Sequence, residues 1–263
     1  MKIGFFDSGL GGLTILQAVT QYLPKYDYQF YGDTEHLPYG EKSEVEVYQL
    51  AKRGVEYLFA QDCALVIVAC NTASAETVRK LQDDFLPNAY PDRKLLGVIV
   101  PTVEVLHSLL PHNVLLLATP RTVGSNKYAL ELERIGAAAI RLTQVATPKL
   151  VPLIEDNNLS AAVKEAINAI DAHGQAEAVV LGCTHYTKLT TALRAHYGDR
   201  IQFISQDEVI SVAVEQYLQR HAEITSRLTN GGTRNIHLTE YRVAYDEIIQ
   251  HLLSNSRVIE HVA

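Results

Sequence analysis

Two stretches of this chain repeat one design. ALVIVACNTASAE carries an apolar run over residues 64–69 into Cys70, Asn71 and Thr72, and EAVVLGCTHYTKL carries a similar run over 178–182 into Cys183, Thr184 and His185. A short apolar run bounded by small and polar residues, followed by helical periodicity, reads as a buried parallel strand opening into a helix. Each cysteine therefore falls at the carboxyl end of a strand, the edge at which open α/β sheets bind ligands. Two thiols delivered by equivalent devices 113 positions apart predict two related halves, each presenting one sulfur to a shared cleft.

The rest of the chain alternates strand and helix signals. Strands are expected over 2–7, 29–32, 94–100 (ended by Pro101), 113–118, near 138–142, over 201–204 and over 235–238. Helices are expected from Leu13 to Leu23 (stopped by Pro24) and over 44–59, 129–135, 149–155, 161–172, 208–218 and 245–253. DTEHLPYGEKS and TPRTVGSNKY read as loops, the first from its turn residues Pro38 and Gly40 and the second as a polar exit from a strand. Such alternation specifies parallel sheets with helices on both faces. The expected fold class is α/β, with two pseudo-symmetric doubly wound domains, mainly parallel sheets and the active site in the cleft between them. No low-complexity linker marks a boundary. Breaks placed near Gly97 and Ser205 give a first domain of 1–96 plus 206–263, carrying Asp7 and Cys70, and a second of 97–205, carrying Cys183 and His185.

Composition narrows the function. With 47 % apolar and 20 % charged residues over 263 positions, the chain has an ordinary globular balance and enough length for a core. A net charge of −7 argues against a nucleic-acid partner or an anionic membrane surface. The N-terminus MKIGFFDSGLGG meets Asp7 before a signal-length apolar segment develops, and the longest apolar runs are too short to span a bilayer. A cytoplasmic enzyme is the expectation. Three widely spaced cysteines, Cys63, Cys70 and Cys183, make neither a disulfide framework nor a zinc signature, so reduced thiols are expected.

Several residues invite a chemical reading and a plain one. DSGLGGLT, between a strand and a helix, is either an anion cradle of bare N–H groups or only a tight turn; Asp7 at its edge favours the first. It lacks the third glycine of a dinucleotide fingerprint, and no Gly-Lys-Ser/Thr follows. Cys63 reads as a small core hydrophobe, whereas Cys70 and Cys183 sit where helix N-terminal amides favour a thiolate. His185 is a structural histidine or a base beside Cys183. Asn71, Thr72 and Thr184 suit a carboxylate and an ammonium better than an apolar ligand, and Tyr39 and Gly40 add a loop at the sheet edge. A metal held by Cys70, Cys183, His185, His36 and Asp33 lacks ligand spacing, so no metal is expected. A Cys–His hydrolase would leave one thiol unused. Two bases flanking a cleft can take a proton from one face of a carbon and return one to the other, with Ser8, Asn71, Thr72 and backbone N–H groups supporting the carbanion.

FFDSGLGGLTIL, YGDTEHLPYGEKS, VIVACNTASA, LATPRTVGSNKY, VPLIE and LGCTHYTKL, in that order, resemble the cofactor-independent glutamate racemases of bacteria, within the aspartate/glutamate racemase superfamily. The resemblance runs to about Leu218. It implies interconversion of L- and D-glutamate without a cofactor, to supply D-glutamate for peptidoglycan, by a protein that commonly dimerises. By that likeness Cys70 and Cys183 are the acid/base pair, assisted by Asp7 and His185. Ser8, Tyr39, Gly40, Asn71, Thr72 and Thr184 join Asp7 and His185 around the substrate, while Glu155 and Thr122 match an acid near the cleft and a hydroxyl of the exit loop. Ala118, Pro120-Arg121, Thr147, Thr187-Lys188 and Ser205-Gln206 depart from the pattern without removing a catalytic group. His185, where aspartate-specific relatives more often carry Glu, favours glutamate. The competing expectations are an aspartate or broad-specificity racemase, a decarboxylase or isomerase of small diacids, and an idle binding protein.

Overall fold

The computed structural model describes residues 1–137 and 139–253, and the backbone of 256–260. Among them are strands β1 (Lys2–Asp7), β2 (Tyr28–Gly32), β3 (Cys63–Val68), β4 (Lys94–Gly97), β5 (Asn113–Ala118), β6 (Arg141–Ala146), β7 (Ala178–Gly182), β8 (Gln202–Ile204), β9 (Arg234–Leu238) and β10 (Ser256–Glu260). They form two sheets, ordered β10-β9-β2-β1-β3-β4 and β6-β5-β7-β8. The strand pairs are parallel throughout, in the α/β arrangement that the alternating sequence signals predict.

Both faces of the central strands are covered, which is why they read as nearly unbroken apolar runs. In β1, Ile3 and Phe5 pack with Leu13, Leu16 and Val19 of helix Gly12–Tyr22, while Phe6 packs with Val47, Val55 and Leu58 of helix Glu44–Ala60. The second sheet repeats the pattern. Leu115 and Leu117 of β5 meet Ala162, Ala166 and Ile170 of helix Leu159–His173, and Val114 and Leu116 meet Val103 and Leu106 of helix Ile99–Leu109. Helix Glu44–Ala60 starts at a reciprocal capping box between Ser43 and Glu46, worth about 1 kcal/mol by the usual cost of losing such a cap.

The duplication inferred from the cysteine stretches extends to the topology. β1 lies between β2 and β3 with β4 outside β3, and β5 lies between β6 and β7 with β8 outside β7. The order in which the chain adds strands thus reverses between β1 and β3 and between β5 and β7, and such a reversal opens a crevice at the carboxyl ends of the strands. Asp7 and Cys70 stand at the first crevice, Thr119 and Cys183 at the second. β9 and β10 then extend the first sheet beyond β2.

Three local expectations need correction. The strand expected to run to Val100 ends at Gly97, and Pro101 lies in the first turn of helix Ile99–Leu109, where its missing N–H costs nothing. TPRTVGSNKY is not an extended loop: Thr119 Oγ1 accepts from Thr122 N–H and caps helix Pro120–Gly124, with helix Lys127–Arg134 following. The strand expected near 138–142, whose first residue lies outside the described residues, begins at Arg141 and runs to Ala146. A turn at Gly136, with φ +74°, delays it into register with β5.

Candidate active site

The site is assembled from strand ends. β1 closes on Asp7, which is fully buried. Its Oδ2 accepts hydrogen bonds from the N–H groups of Gly9 and Gly12, both at 3.1 Å, and its Oδ1 has no partner among the described residues. The turn that could have cradled a ligand anion therefore holds the chain's own carboxylate. Burial raises the pKa of Asp7, against the opposing pull of the His185 charge and of those amides.

After β3 the backbone enters helix Asn71–Lys80 with Cys70 as its N-cap, and Cys70 Sγ accepts from Ala73 N–H at 3.4 Å. Ser8 Oγ approaches the same sulfur at 3.4 Å. These contacts favour a thiolate, but they do not decide the outcome. Burial, followed by the nearby Asp7 carboxylate, pushes the Cys70 thiol up to about 12, with Cys183 adding to the rise. The expectation that the helix terminus would ease this cysteine toward ionisation fails because removing the sulfur from water outweighs one amide and one hydroxyl.

Cys183 is placed differently. The segment after β7 is a 3₁₀ helix, Thr184–Leu189, and no amide of that helix donates to the sulfur. The expected α-helical entry, with its amides turned to the thiol, is absent there. Instead His185 Nδ1 lies 3.7 Å from Cys183 Sγ, and His185 Nε2 lies 3.2 Å from Glu155 Oε1 at the end of helix Leu150–Glu155. Burial disfavours the charged ring, yet the contacts to Cys183 and Glu155 prevail and hold its pKa at about 10.

Cys70 and Cys183 line one cleft of about 130 Å³, together with Ser8, Tyr39, Gly40, Asn71, Thr72, Glu155, Thr184 and His185. That volume is below the roughly 300 Å³ at which drug-sized sites begin, so the cleft suits a small molecule. Asp7 and Thr122 are not on its surface. Thr122 sits behind the wall with its hydroxyl 3.0 Å from that of Thr119 and 3.4 Å from that of Thr72. Asn71 lines the cleft while its amide pairs reciprocally with Gln206, at 2.5 and 2.8 Å, and its Oδ1 also accepts from Tyr128. Tyr39 donates to the buried Asp33 at 2.6 Å, and Asp33 accepts or shares a proton with His36 Nδ1 at 2.8 Å. Asp33 and His36 are absent from the cleft lining.

Sequence reasoning did not assign Thr119, Pro148, Val151 or Pro152 to the site and gave Thr147 only as a departure from the family pattern; all five line the cleft, together with Leu37, Pro38, Glu41 and Pro120. Thr119 carried a usable signal: it follows β5 as Cys183 follows β7, and Ala118 pairs with Gly182. The prolines and Val151 carry none, because they contribute only shape. A larger cavity, about 230 Å³, lies around Arg79, Gly97, Glu131 and Val214 and contains no cysteine.

Parallel α/β sheets that bring two thiols, a histidine and an acid to one small cleft define an isomerase-type site. Residues 14–212 match the family model described as Asp/Glu/hydantoin racemase, and the chain belongs to that family. It is 35 % identical over 258 residues to the glutamate racemase of Jannaschia sp. (strain CCS1), spanning 90 % of this chain and 93 % of that protein. Among solved structures it resembles a glutamate racemase isoform from Bacillus anthracis, at 25 % identity and a TM-score of 0.88, covering 99 % of this chain and 97 % of the other. It equally resembles the Francisella tularensis glutamate racemase in complex with D-glutamate, at 25 % identity and a TM-score of 0.87, covering 100 % and 97 %.

Proposed function

We propose that this racemase interconverts L- and D-glutamate by proton transfer at Cα between Cys70 and Cys183, without a cofactor. The observation carrying the proposal is that sulfurs from the two reversal points line one small cleft. In either direction one sulfur, as thiolate, takes the α-hydrogen, and the other, as thiol, returns a proton to the opposite face. The protonation states of the two cysteines are then exchanged, and the enzyme must reset before it can act again in the same sense. His185, paired with Glu155, supports negative charge on Cys183; Ser8 and Asp7 act on the Cys70 side. Tyr39, Gly40, Asn71, Thr72 and Thr184 surround the substrate, and Thr122 steadies Thr72 and Thr119 from behind.

The carbanion formed is stabilised by pre-placed hydrogen-bond donors around the cleft. The units are residues 1–96 plus 206–263 and residues 97–205, working as a cytoplasmic homodimer whose product enters peptidoglycan. Among the described residues no helix is long and apolar enough to cross a membrane. The test is optical rotation of each glutamate enantiomer with purified protein and no additive, run in D₂O, with aspartate in parallel. Decay of rotation from both glutamate enantiomers, with deuterium at Cα of the product, is the expected result. Unchanged rotation from both would defeat the proposal.

A further inference from the structure

The turn Gly9–Gly12 makes one contact that the racemase reading leaves unexplained. Gly11 has φ −57° and ψ −37°, a conformation any residue adopts, so backbone freedom is not why glycine stands there. Space is the reason. A Cβ at Gly11 would lie 2.3 Å from Thr184 Oγ1, 2.9 Å from His185 Nδ1 and 3.0 Å from His185 Cε1. The Nδ1 atom is the one that faces Cys183 Sγ. A turn at the end of β1, in the first sheet, thus abuts the motif that follows β7, in the second.

The abutment cannot retreat. Asp7 Oδ2 pins the N–H groups of Gly9 and Gly12, and a Cβ at Gly12 would come within 2.7 Å of Asp7 Cβ. From the other side, Thr14 Oγ1 donates to the Gly11 carbonyl at 2.8 Å, and the Thr187 hydroxyl donates to Thr14 Oγ1 at 3.2 Å while reaching the Thr184 carbonyl at 2.9 Å. A hydroxyl chain therefore ties the turn to the segment bearing Thr184 and His185.

We propose that Gly11 is a positioning residue for the Cys183 half of the reaction: its missing side chain lets the turn set the His185 ring against Cys183. This rests on the racemase reading for its kinetic consequence but not for its geometry. The titratable groups that face His185 are Cys183 on its own segment, Asp7 from β1 and Glu155 from helix Leu150–Glu155. Adding one methyl group at position 11 forces the Thr184 hydroxyl to turn and the ring to slide off the sulfur.

The test compares the full-length wild type, Gly11→Ala and Thr14→Val by two readouts. In ¹⁵N-histidine-labelled protein, with the His185 signal assigned by its loss in His185→Asn, the ring titrates near 10 in the wild type and at lower pH in Gly11→Ala. Kinetically, kcat/KM falls between about 10-fold and 100-fold in both directions, the range for a reacting group misplaced by about an ångström. The isotope effect from α-deuterated glutamate rises for the enantiomer that Cys183 deprotonates and falls for the other, because the Cys183 step becomes more rate-limiting. Thr14→Val gives the same split at smaller size and carries the test should Gly11→Ala not fold. Unchanged His185 titration, or equal isotope effects from the two enantiomers in a folded variant, overturns the proposal. A wild type that does not racemise glutamate defeats the proposed function instead and leaves the titration to decide this inference.

Discussion

The two cysteine sites share a topology and differ in their electrostatics. Cys70 caps an α-helix and meets an amide, a hydroxyl and the Asp7 carboxylate, with no cation in contact among the described residues. Cys183 enters a 3₁₀ helix that offers its sulfur no amide, and faces a histidine whose pKa Cys183 and Glu155 raise. Exposure does not separate them, at 6 % and 7 %. Duplication of a strand–turn device supplies two equivalent positions for sulfur, and the groups packed around each, Asp7 from β1 beside Cys70 and His185 beside Cys183, make their surroundings unequal.

The largest expected effect comes from removing either sulfur. Cys70→Ala and Cys183→Ala should each lower racemisation by about 10³-fold or more while leaving the circular dichroism spectrum intact, as befits loss of an obligatory acid/base group. Substantial turnover in either variant would break the pairing. A smaller effect reports the resting asymmetry directly. With iodoacetamide at neutral pH, Cys183 should be modified about tenfold or more ahead of Cys70, because burial and Asp7 keep the Cys70 thiol protonated. Peptide mass spectrometry reads the order, and equal or reversed labelling would remove the contrast.

The smallest effect lies where the helix opened by Cys70 meets the second half. Glu131 on helix Lys127–Arg134 pairs with Arg134 at 2.6 Å, Lys127 at 3.0 Å and Arg79, from the Cys70 helix, at 3.5 Å. Burial would raise its pKa, but these partners hold the carboxyl down at about 2 from an ordinary 4.5. Its stabilisation is therefore complete above about 4.5 and disappears as the pH falls to about 2. Acid unfolding of Glu131→Gln, compared with the wild type, should lack that part of the pH dependence, on the order of 1 kcal/mol after solvent screening. Parallel curves for the two proteins would show the cluster to be neutral.

Much of this arrangement was readable in the sequence because a strand covered on both faces must be apolar at nearly every position, and a run that short is too brief for a buried helix. The run at 178–182 coincides with β7, and that at 64–69 is displaced by one residue from β3. Proline and glycine misled where they serve two purposes. Pro101 and Pro120 both sit in the first turn of a helix, where proline is tolerated, yet each looks like a stop or a loop when read along the chain. The cleft was legible where a residue carries chemistry, as Cys70, His185 and Thr72 do. It was silent where a residue contributes only shape, as Pro148 and Pro152 do. The high pKa of Cys70 could not be foreseen either: a helix cap can be guessed from local sequence, whereas the water excluded around a sulfur depends on the whole fold.

Because Asp7 occupies the Gly9 and Gly12 amides, that turn is closed to phosphate, sulfate and other inorganic visitors. Neither lysine nor arginine is among the residues lining the cleft, so a carboxylate entering it meets hydroxyls, amides and the His185 ring. Bonds to neutral donors are individually weaker than charge-assisted ones, so such a site holds its visitor by several modest contacts and not by one strong ion pair.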